Sequence, residues 1–144
     1  MLIRLVVTMR SRVLSGNMSG KWREMNAIIS IKPQYVEEIL AGRKRFEYRK
    51  KVFARPVEKV YIYASSPISK VVGEFQPVDI LSGTPASIWK QTNKKSGITK
   101  AFYDTYFAGR QIAYAIEIKN LKIYDTYKDL PFHAPQSFRY IDEL

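Results

Sequence analysis

Apolar and polar positions alternate with a period of two along much of this chain, which is typical of strands with one buried face. Elsewhere apolar positions recur at three- and four-residue spacing, which is typical of amphipathic helices. The pattern predicts an α+β fold, a small mixed barrel of about five to six strands with helices covering its openings. We expect strands at 26–31, 45–49, 59–63, 70–75 continuing into 78–81, and 112–118, and helices at 33–41, 86–91 and 98–108.

Prolines and small polar residues mark the ends and irregularities of these elements. Pro33 suits the first position of a helix, and Gly42 can adopt the positive φ that ends one. Thr84 precedes a proline in the manner of a helix N-cap. We expect the strand after residue 70 to bend at Pro77, and a shift in apolar parity predicts a β-bulge near Asn120.

The composition describes a globular domain without metal or disulfide chemistry. A chain of 144 residues with 46% hydrophobic residues is long enough for one core. It has no cysteine, which excludes disulfides and thiolate ligands, and His133 is its single histidine. No apolar run is long enough for a membrane span. We therefore expect a cytoplasmic protein with no cofactor, no metal and no membrane contact.

Positive charge is concentrated towards the N-terminal part of the chain. The formal net charge is +11, and residues 25–56 contain eight basic but three acidic residues. The last 88 residues are close to neutral, with eleven basic and nine acidic residues. Such a local surplus favours a polyanionic partner, and RNA, DNA or a nucleotide is favoured over an anionic membrane surface.

Residues 1–24 differ from the rest, because a short apolar run is followed by arginines and by a segment rich in glycine and serine. We expect a non-native or disordered extension, with Met25 as the native start and the folded domain at 25–144. A basic N-terminal arm is the alternative.

The most basic strand lies within residues 42–51. Its aromatic residues alternate with Arg45, Glu47 and Arg49, so one face is apolar and the other charged. One interpretation is a solvated edge strand that its charges protect from aggregation. The other is one face of a polar cleft that holds an anionic or hydrogen-bonding ligand.

Seven short motifs follow one another along the chain: Ser30-Ile-Lys-Pro33, Gly42-x-Lys44-x-x-Glu47-x-Arg49, Tyr63-Ala-Ser-Ser-Pro67, Lys70-Val-Val-Gly-Glu-Phe75, Tyr106-Phe-x-Gly109, Tyr114-Ala-Ile-Glu117 and Pro135-Gln-Ser-Phe138. This ordered set resembles the ASCH family of the PUA-like superfamily. The resemblance covers the chain from Met25 to its C-terminus and implies a PUA-like β-barrel with a cleft beside the first helix. It also implies RNA or nucleotide binding and a role in translation or RNA metabolism; some members are similar to small hydrolases of acylated nucleosides or RNA.

Lys44 is the first candidate for chemistry. In the acyl-nucleoside hydrolases of the superfamily the matching lysine resembles a catalytic residue, but those enzymes have a hydroxyl residue at the position of Glu47. A carboxylate there is expected to keep Lys44 protonated, which favours ligand binding over catalysis. The alternative is a hydrolase, either an acyl-nucleoside amidohydrolase or a ribonuclease, in which Lys44 acts with Glu47 or Glu74. A simple salt bridge lining the cleft would also explain the Lys44–Glu47 pair.

The remaining candidates are ligand contacts. Basic side chains can neutralise phosphates, hydroxyls can hydrogen-bond a base edge or phosphate, and Ser137 resembles the family's cleft-closing position. Tyrosines on the neighbouring strands could stack on bases, although packing also explains them. A protein-binding regulatory module remains a third functional alternative. The expected ligand contacts are Lys32, Lys44, Arg45, Glu47, Arg49, Ser65, Ser66 and Ser137, and the tyrosines are Tyr48, Tyr61 and Tyr63.

Overall fold

The computed structural model describes residues 3–5 and 25–144, whose strands form two sheets joined by helices. The expected mixed α+β fold is confirmed. The strands are β1 Ile3–Leu5, β2 Met25–Ile31, β3 Phe46–Arg49, β4 Val57–Ala64, β5 Lys70–Gln76, β6 Ile80–Gly83, β7 Ala113–Glu117, β8 Lys119–Lys128 and β9 Phe138–Ile141. The helices are α1 Pro33–Leu40, α2 Pro85–Thr92 and α3 Lys100–Tyr106, with a 3₁₀ turn at Asn93–Lys95.

The two sheets differ in size and in strand direction. The smaller has the order β1-β6-β7-β3 and is antiparallel throughout. The larger has the order β8-β5-β4-β2-β9, with β2 and β4 parallel at its centre. A parallel pair needs a crossover connection, and here that connection contains α1 and β3. The crossover therefore leaves the larger sheet through α1, and β3 pairs with β7 at the edge of the smaller sheet.

One strand prediction was wrong. Residues 70–81 do not form one bent strand, because β5 ends at Gln76 in the larger sheet and β6 begins at Ile80 in the smaller one. Pro77 cannot donate a ladder hydrogen bond, so it favours separation of the strands there. The chain changes sheets again at Ile118, between β7 and β8. The described residues contain nine strands instead of the expected five or six. The difference comes from the division of residues 70–81 into β5 and β6 and from β1, β8 and β9, which were not predicted.

The bulge predicted near Asn120 is confirmed. Asn120 has φ of 51°, and the register of β5 with β8 shifts beside it. Lys119 faces Gln76 but Lys122 faces Glu74, so β8 has one residue more than its partner. Asparagine tolerates this left-handed conformation better than most residues.

The predicted helix ends agree with the structure at α1 and α2. Pro33 is the first residue of α1, and Gly42 has φ of 77° just beyond its end. The Thr84 side chain accepts a hydrogen bond from the Ser87 amide at the start of α2. The helix expected at 98–108 is shorter, because Thr99 caps α3 by accepting from the Phe102 amide.

The main core lies between α1 and the two sheets. Val36 and Ile39 of α1 pack into the same buried cluster as Ile62 of the larger sheet and Ile116 of the smaller one. A second cluster packs α2 and α3 against the smaller sheet, with Tyr103 at its centre. α1 therefore packs in the main core, and α3 packs in the second.

The expectation for the N-terminal segment concerns residues that are mostly outside the described ranges. The hypothesis of a non-native or disordered extension over residues 1–24 lies outside the described residues, apart from β1, which pairs with β6. Within the described ranges, no helix has the length and apolar character needed to cross a bilayer.

Candidate ligand-binding cavity

A cavity of about 560 Å³ opens beside β3, between α1 and α3. Its floor comes from the end of β2 and from β3, and its rim from the turn after β4 and the loop before β9. The parallel pairing of β2 with β4 brings the ends of both strands to this rim. Both sequence interpretations of the basic strand hold in part: β3 is an edge strand of the smaller sheet, but Glu47 and Tyr48 on it are buried and line the cavity.

Lys44 and Glu47 form a buried ion pair at the base of the cavity. Lys44 is 3% exposed and Glu47 is 7% exposed, and the Lys44 Nζ lies 3.6 Å from the Glu47 Oε2. The Lys44 Nζ also donates to the Ser96 carbonyl oxygen at 3.2 Å and lies 4.8 Å from the centre of the Tyr48 ring. The amine of Lys44 and the carboxyl group of Glu47 thus lie together and are both buried.

Burial lowers the pKa of Lys44, and the negative charge of Glu47 only partly offsets this. Glu47 opposes this effect in the direction expected from the sequence, and burial is the larger of the two influences. Tyr48 shows the same influence of burial, which raises the pKa of its phenol to about 12. Its hydroxyl therefore stays protonated at neutral pH and donates to the Thr92 Oγ1 at 2.7 Å.

Arg49 ties the cavity floor to its rim. Its Nε donates to the Glu47 Oε1 at 3.0 Å, and its Nη2 donates to the Ser30 carbonyl oxygen at 2.8 Å. Its Nη1 donates to the Ser137 Oγ at 3.3 Å. The Ser30 amide donates in turn to the Ser137 carbonyl oxygen at 3.0 Å. Arg49 was expected to meet phosphates, but its guanidinium is largely committed to protein partners and lines the cavity from a fixed position.

Aromatic side chains of α1 and α3 form one wall of the cavity. The rings of Tyr35 and Phe102 lie 5.2 Å apart, and Phe102 stacks on Tyr106 with 11° between the ring planes. All three line the cavity, and Phe102 is 38% exposed. This wall was not predicted from the sequence, because the spacing of Phe102 and Tyr106 on one helix face is equally typical of core packing.

The other predicted ligand contacts divide into those at the cavity and those outside it. Lys32, Ser65 and Ser66 line it, and Ser137 lies at its rim through its bond with Arg49. The exposed Arg45 is not among the lining residues. Of the candidate stacking tyrosines, Tyr48 and Tyr63 line the cavity, whereas Tyr61 is buried in a separate cluster behind the larger sheet.

Glu74 lies away from the cavity. Its carboxylate accepts from the Tyr124 hydroxyl at 2.8 Å and lies 3.6 Å from the Lys59 Nζ. Glu47 is therefore the one of the two candidate carboxylates that the structure places beside Lys44. His133 is exposed in the loop before β9, and within residues 25–144 no three metal-ligating side chains gather into a cation site.

Residues 29–122, which contain the ion pair and most of the cavity floor, match the ASCH domain family. The chain belongs to this family. This ASCH domain has the fold of a solved relative, the ASCH protein from Zymomonas mobilis, with a TM-score of 0.75. The two are 23% identical, and the match covers 82% of this chain and 88% of the other.

Three curated relatives of this chain have different names. The large ribosomal subunit protein uL22 of Ureaplasma parvum is 37% identical over 89 residues, 59% of this chain and 29% of that protein. The ASCH domain-containing ribonuclease of Zymomonas mobilis is 25% identical over 95 residues, 65% of this chain and 64% of that protein. ATP synthase subunit alpha of Ureaplasma parvum is 28% identical over 137 residues, 92% of this chain and 17% of that protein. This chain thus spans less than a third of the uL22 protein and less than a fifth of the ATP synthase subunit.

Proposed function

We propose that this ASCH domain binds single-stranded RNA and takes one unpaired nucleotide into the Lys44–Glu47 cavity. The observation that carries the proposal is the buried pair of Lys44 and Glu47, which opens into a cavity with an aromatic wall. Proteins that recognise single-stranded RNA commonly stack an unpaired base on an aromatic ring and hydrogen-bond its edges.

The cavity has the size and lining that such a ligand needs. A volume of about 560 Å³ is within the range of small-molecule sites, roughly 300–1,000 Å³. Tyr35, Phe102 and Tyr106 offer ring faces for stacking, while Lys44 offers a donor and Glu47 an acceptor. Lys32 on the open side is exposed and suits a phosphate. In this proposal Ser65, Ser66 and Ser137 contribute hydroxyl contacts at the rim.

The relatives are consistent with an RNA-related role. One is named a ribonuclease and another a ribosomal subunit protein. A third, an ATP synthase subunit, has no such association in its name, so the names support the proposal without carrying it.

Binding of a fluorescently labelled single-stranded RNA tests the proposal directly. Phe102→Ala removes part of the stacking wall, and we expect affinity to fall about tenfold, since one stacked base contributes roughly 1–3 kcal/mol. Lys44→Met should also weaken binding. Lys122→Ala, which removes an exposed lysine on β8, serves as the matched control and should bind like the wild type. Equal affinity in all four proteins, or no binding by the wild type, would exclude the cavity as an RNA site.

A ribonuclease is the second candidate, and the environment of Lys44 favours it. A general base must be neutral, and burial lowers the pKa of Lys44 towards that form. The amine would accept the proton of a ribose 2′-hydroxyl while the 2′-oxygen bonds to phosphorus. The 5′-oxygen would then leave and take a proton from water. Glu47, 3.6 Å away, would stabilise the resulting ammonium.

Turnover distinguishes this enzyme from a binding domain. Purified wild type is incubated with excess labelled RNA or with an N-acylated cytidine, and the products are resolved. The binding proposal expects little turnover of either compound. Multiple turnover by the wild type that disappears in Lys44→Met, with RNA affinity retained, would replace the binding proposal with a hydrolase.

A further inference from the structure

A second, more open groove of about 790 Å³ lies on the other side of the aromatic wall. It runs between α1, the 3₁₀ turn and the start of α3, and it includes Lys94 and Lys95. We propose that this Lys94–Lys95 groove binds the phosphate backbone of the same RNA strand whose nucleotide occupies the Lys44–Glu47 cavity. The inference rests on the proposed function and extends the binding site beyond a single nucleotide.

The two concavities are adjacent. Tyr35, Ile98 and Phe102 line both of them, so one aromatic ridge separates the cavity from the groove. On that ridge the Tyr35 and Phe102 rings are tilted by 47° with their centres 5.2 Å apart. A large apolar side chain that is 38% exposed, as Phe102 is, offers a face on which a strand crossing the ridge can stack a base.

The charge of the groove suits phosphates. Lys94 and Lys95 are exposed, and in the described part of the chain no hydrogen bond or ion pair engages either ammonium group. Arg43, also in the groove, donates to both carboxylate oxygens of Glu38, at 2.7 and 3.0 Å. These two charges offset each other. The groove therefore has a net surplus of two positive charges from the lysines.

The position of the two lysines favours an RNA strand that continues from the cavity into the groove. Bound nucleotides are linked to neighbours, so the phosphate backbone must leave the cavity over one of its rims. The aromatic ridge is one such rim, and the exposed ammonium groups of Lys94 and Lys95 lie in the groove directly beyond it. Lys100, at the start of α3, is instead paired with Asp104 at 2.6 Å. The backbone should therefore follow Lys94 and Lys95.

The test compares a dinucleotide with an octanucleotide of single-stranded RNA at several salt concentrations. Wild type should bind the octanucleotide more tightly. In Lys94→Ala/Lys95→Ala we expect about a tenfold loss of octanucleotide affinity with dinucleotide affinity unchanged. The slope of log affinity against log salt should fall by about 1.4, at ~0.7 for each of two phosphates.

The control is Lys122→Glu, which changes the net charge by the same two units on β8. It should leave the dinucleotide affinity and the preference for the longer RNA unchanged. Lys94→Gln/Lys95→Gln repeats the test with side chains of similar length, and melting temperatures confirm that each variant folds.

The outcomes separate the two proposals. If wild type binds the dinucleotide but the lysine variants lose affinity for both lengths equally, or for neither, the groove is not part of the path and the cavity proposal stands. If the control reproduces the effect, the loss reflects net charge and not the groove. If wild type binds neither RNA, the proposed function fails and this inference fails with it.

Discussion

Gly97 lies directly against the stem of Lys44. A Cβ added at Gly97 would come within 2.3 Å of the Lys44 Cβ, and Gly97 has φ of 64°. The neighbouring Ser96 carbonyl oxygen accepts the hydrogen bond from the Lys44 Nζ. The turn at residues 96–97 therefore both covers the lysine and provides one of its polar partners.

Gly97→Ala should destabilise the domain strongly. The alanine would be strained at positive φ by about 1–2 kcal/mol, and displacement of the lysine stem should add roughly 1–3 kcal/mol. Chemical denaturation measures the loss. Gly109→Ala is the matched control, because Gly109 has φ of 76° with nothing within 4 Å of an added Cβ. Equal losses at the two glycines would show that the contact with Lys44 has no energetic importance.

The stability of the domain should depend on pH through Lys44. Its folded-state pKa lies below the unfolded value of 10.5, so the unfolded chain binds the proton more readily. Stability should therefore rise as pH rises through the folded-state pKa and level off near 10.5, with a slope of at most ~1.4 kcal/mol per pH unit. The measurement is the difference in unfolding free energy between wild type and Lys44→Met across alkaline pH. A difference that does not change with pH would contradict the lowered pKa.

Glu47→Gln should lower the pKa of Lys44 further. Burial lowers this pKa, and the charge of Glu47 is the main effect that opposes burial. Titration of the Lys44 side chain by NMR follows the change. Glu74→Gln is the control. It removes a carboxylate that lies beside Lys59 and Tyr124, so it should leave the pKa of Lys44 unchanged. A Lys44 pKa that rises in Glu47→Gln would show that the ion pair is not formed.

Arg49→Lys should loosen the rim of the cavity. Lysine cannot reproduce the three bonds of the guanidinium to Glu47, Ser30 and Ser137, and hydrogen bonds to charged groups contribute about 1.5–3 kcal/mol each. We expect faster hydrogen exchange at the Ser30 amide, which donates to the Ser137 carbonyl oxygen. Arg45→Lys changes an exposed arginine that precedes the same strand and is the control. An unchanged exchange rate at the Ser30 amide in Arg49→Lys would show that Arg49 does not hold the rim of the cavity to its floor.

Local sequence signals determined much of the framework. Pro33 and Gly42 mark the two ends of the first helix, and Thr84 caps the second. The shift in apolar parity near Asn120 marks a β-bulge. These features depend on the conformational limits of single residues, which neighbouring sequence is enough to reveal. The motif around Lys44 likewise indicated the family and the strand that forms the cavity floor.

Tertiary structure alone decided the electrostatics and the walls of the site. The pKa of Lys44 depends on burial by a turn whose carbonyl acceptor is 52 positions away in sequence. The aromatic wall forms because α1 and α3 meet beside β3, whereas each helix by itself shows only an apolar face. Desolvation and packing are produced by segments distant along the chain, so the pattern within any one segment does not contain them.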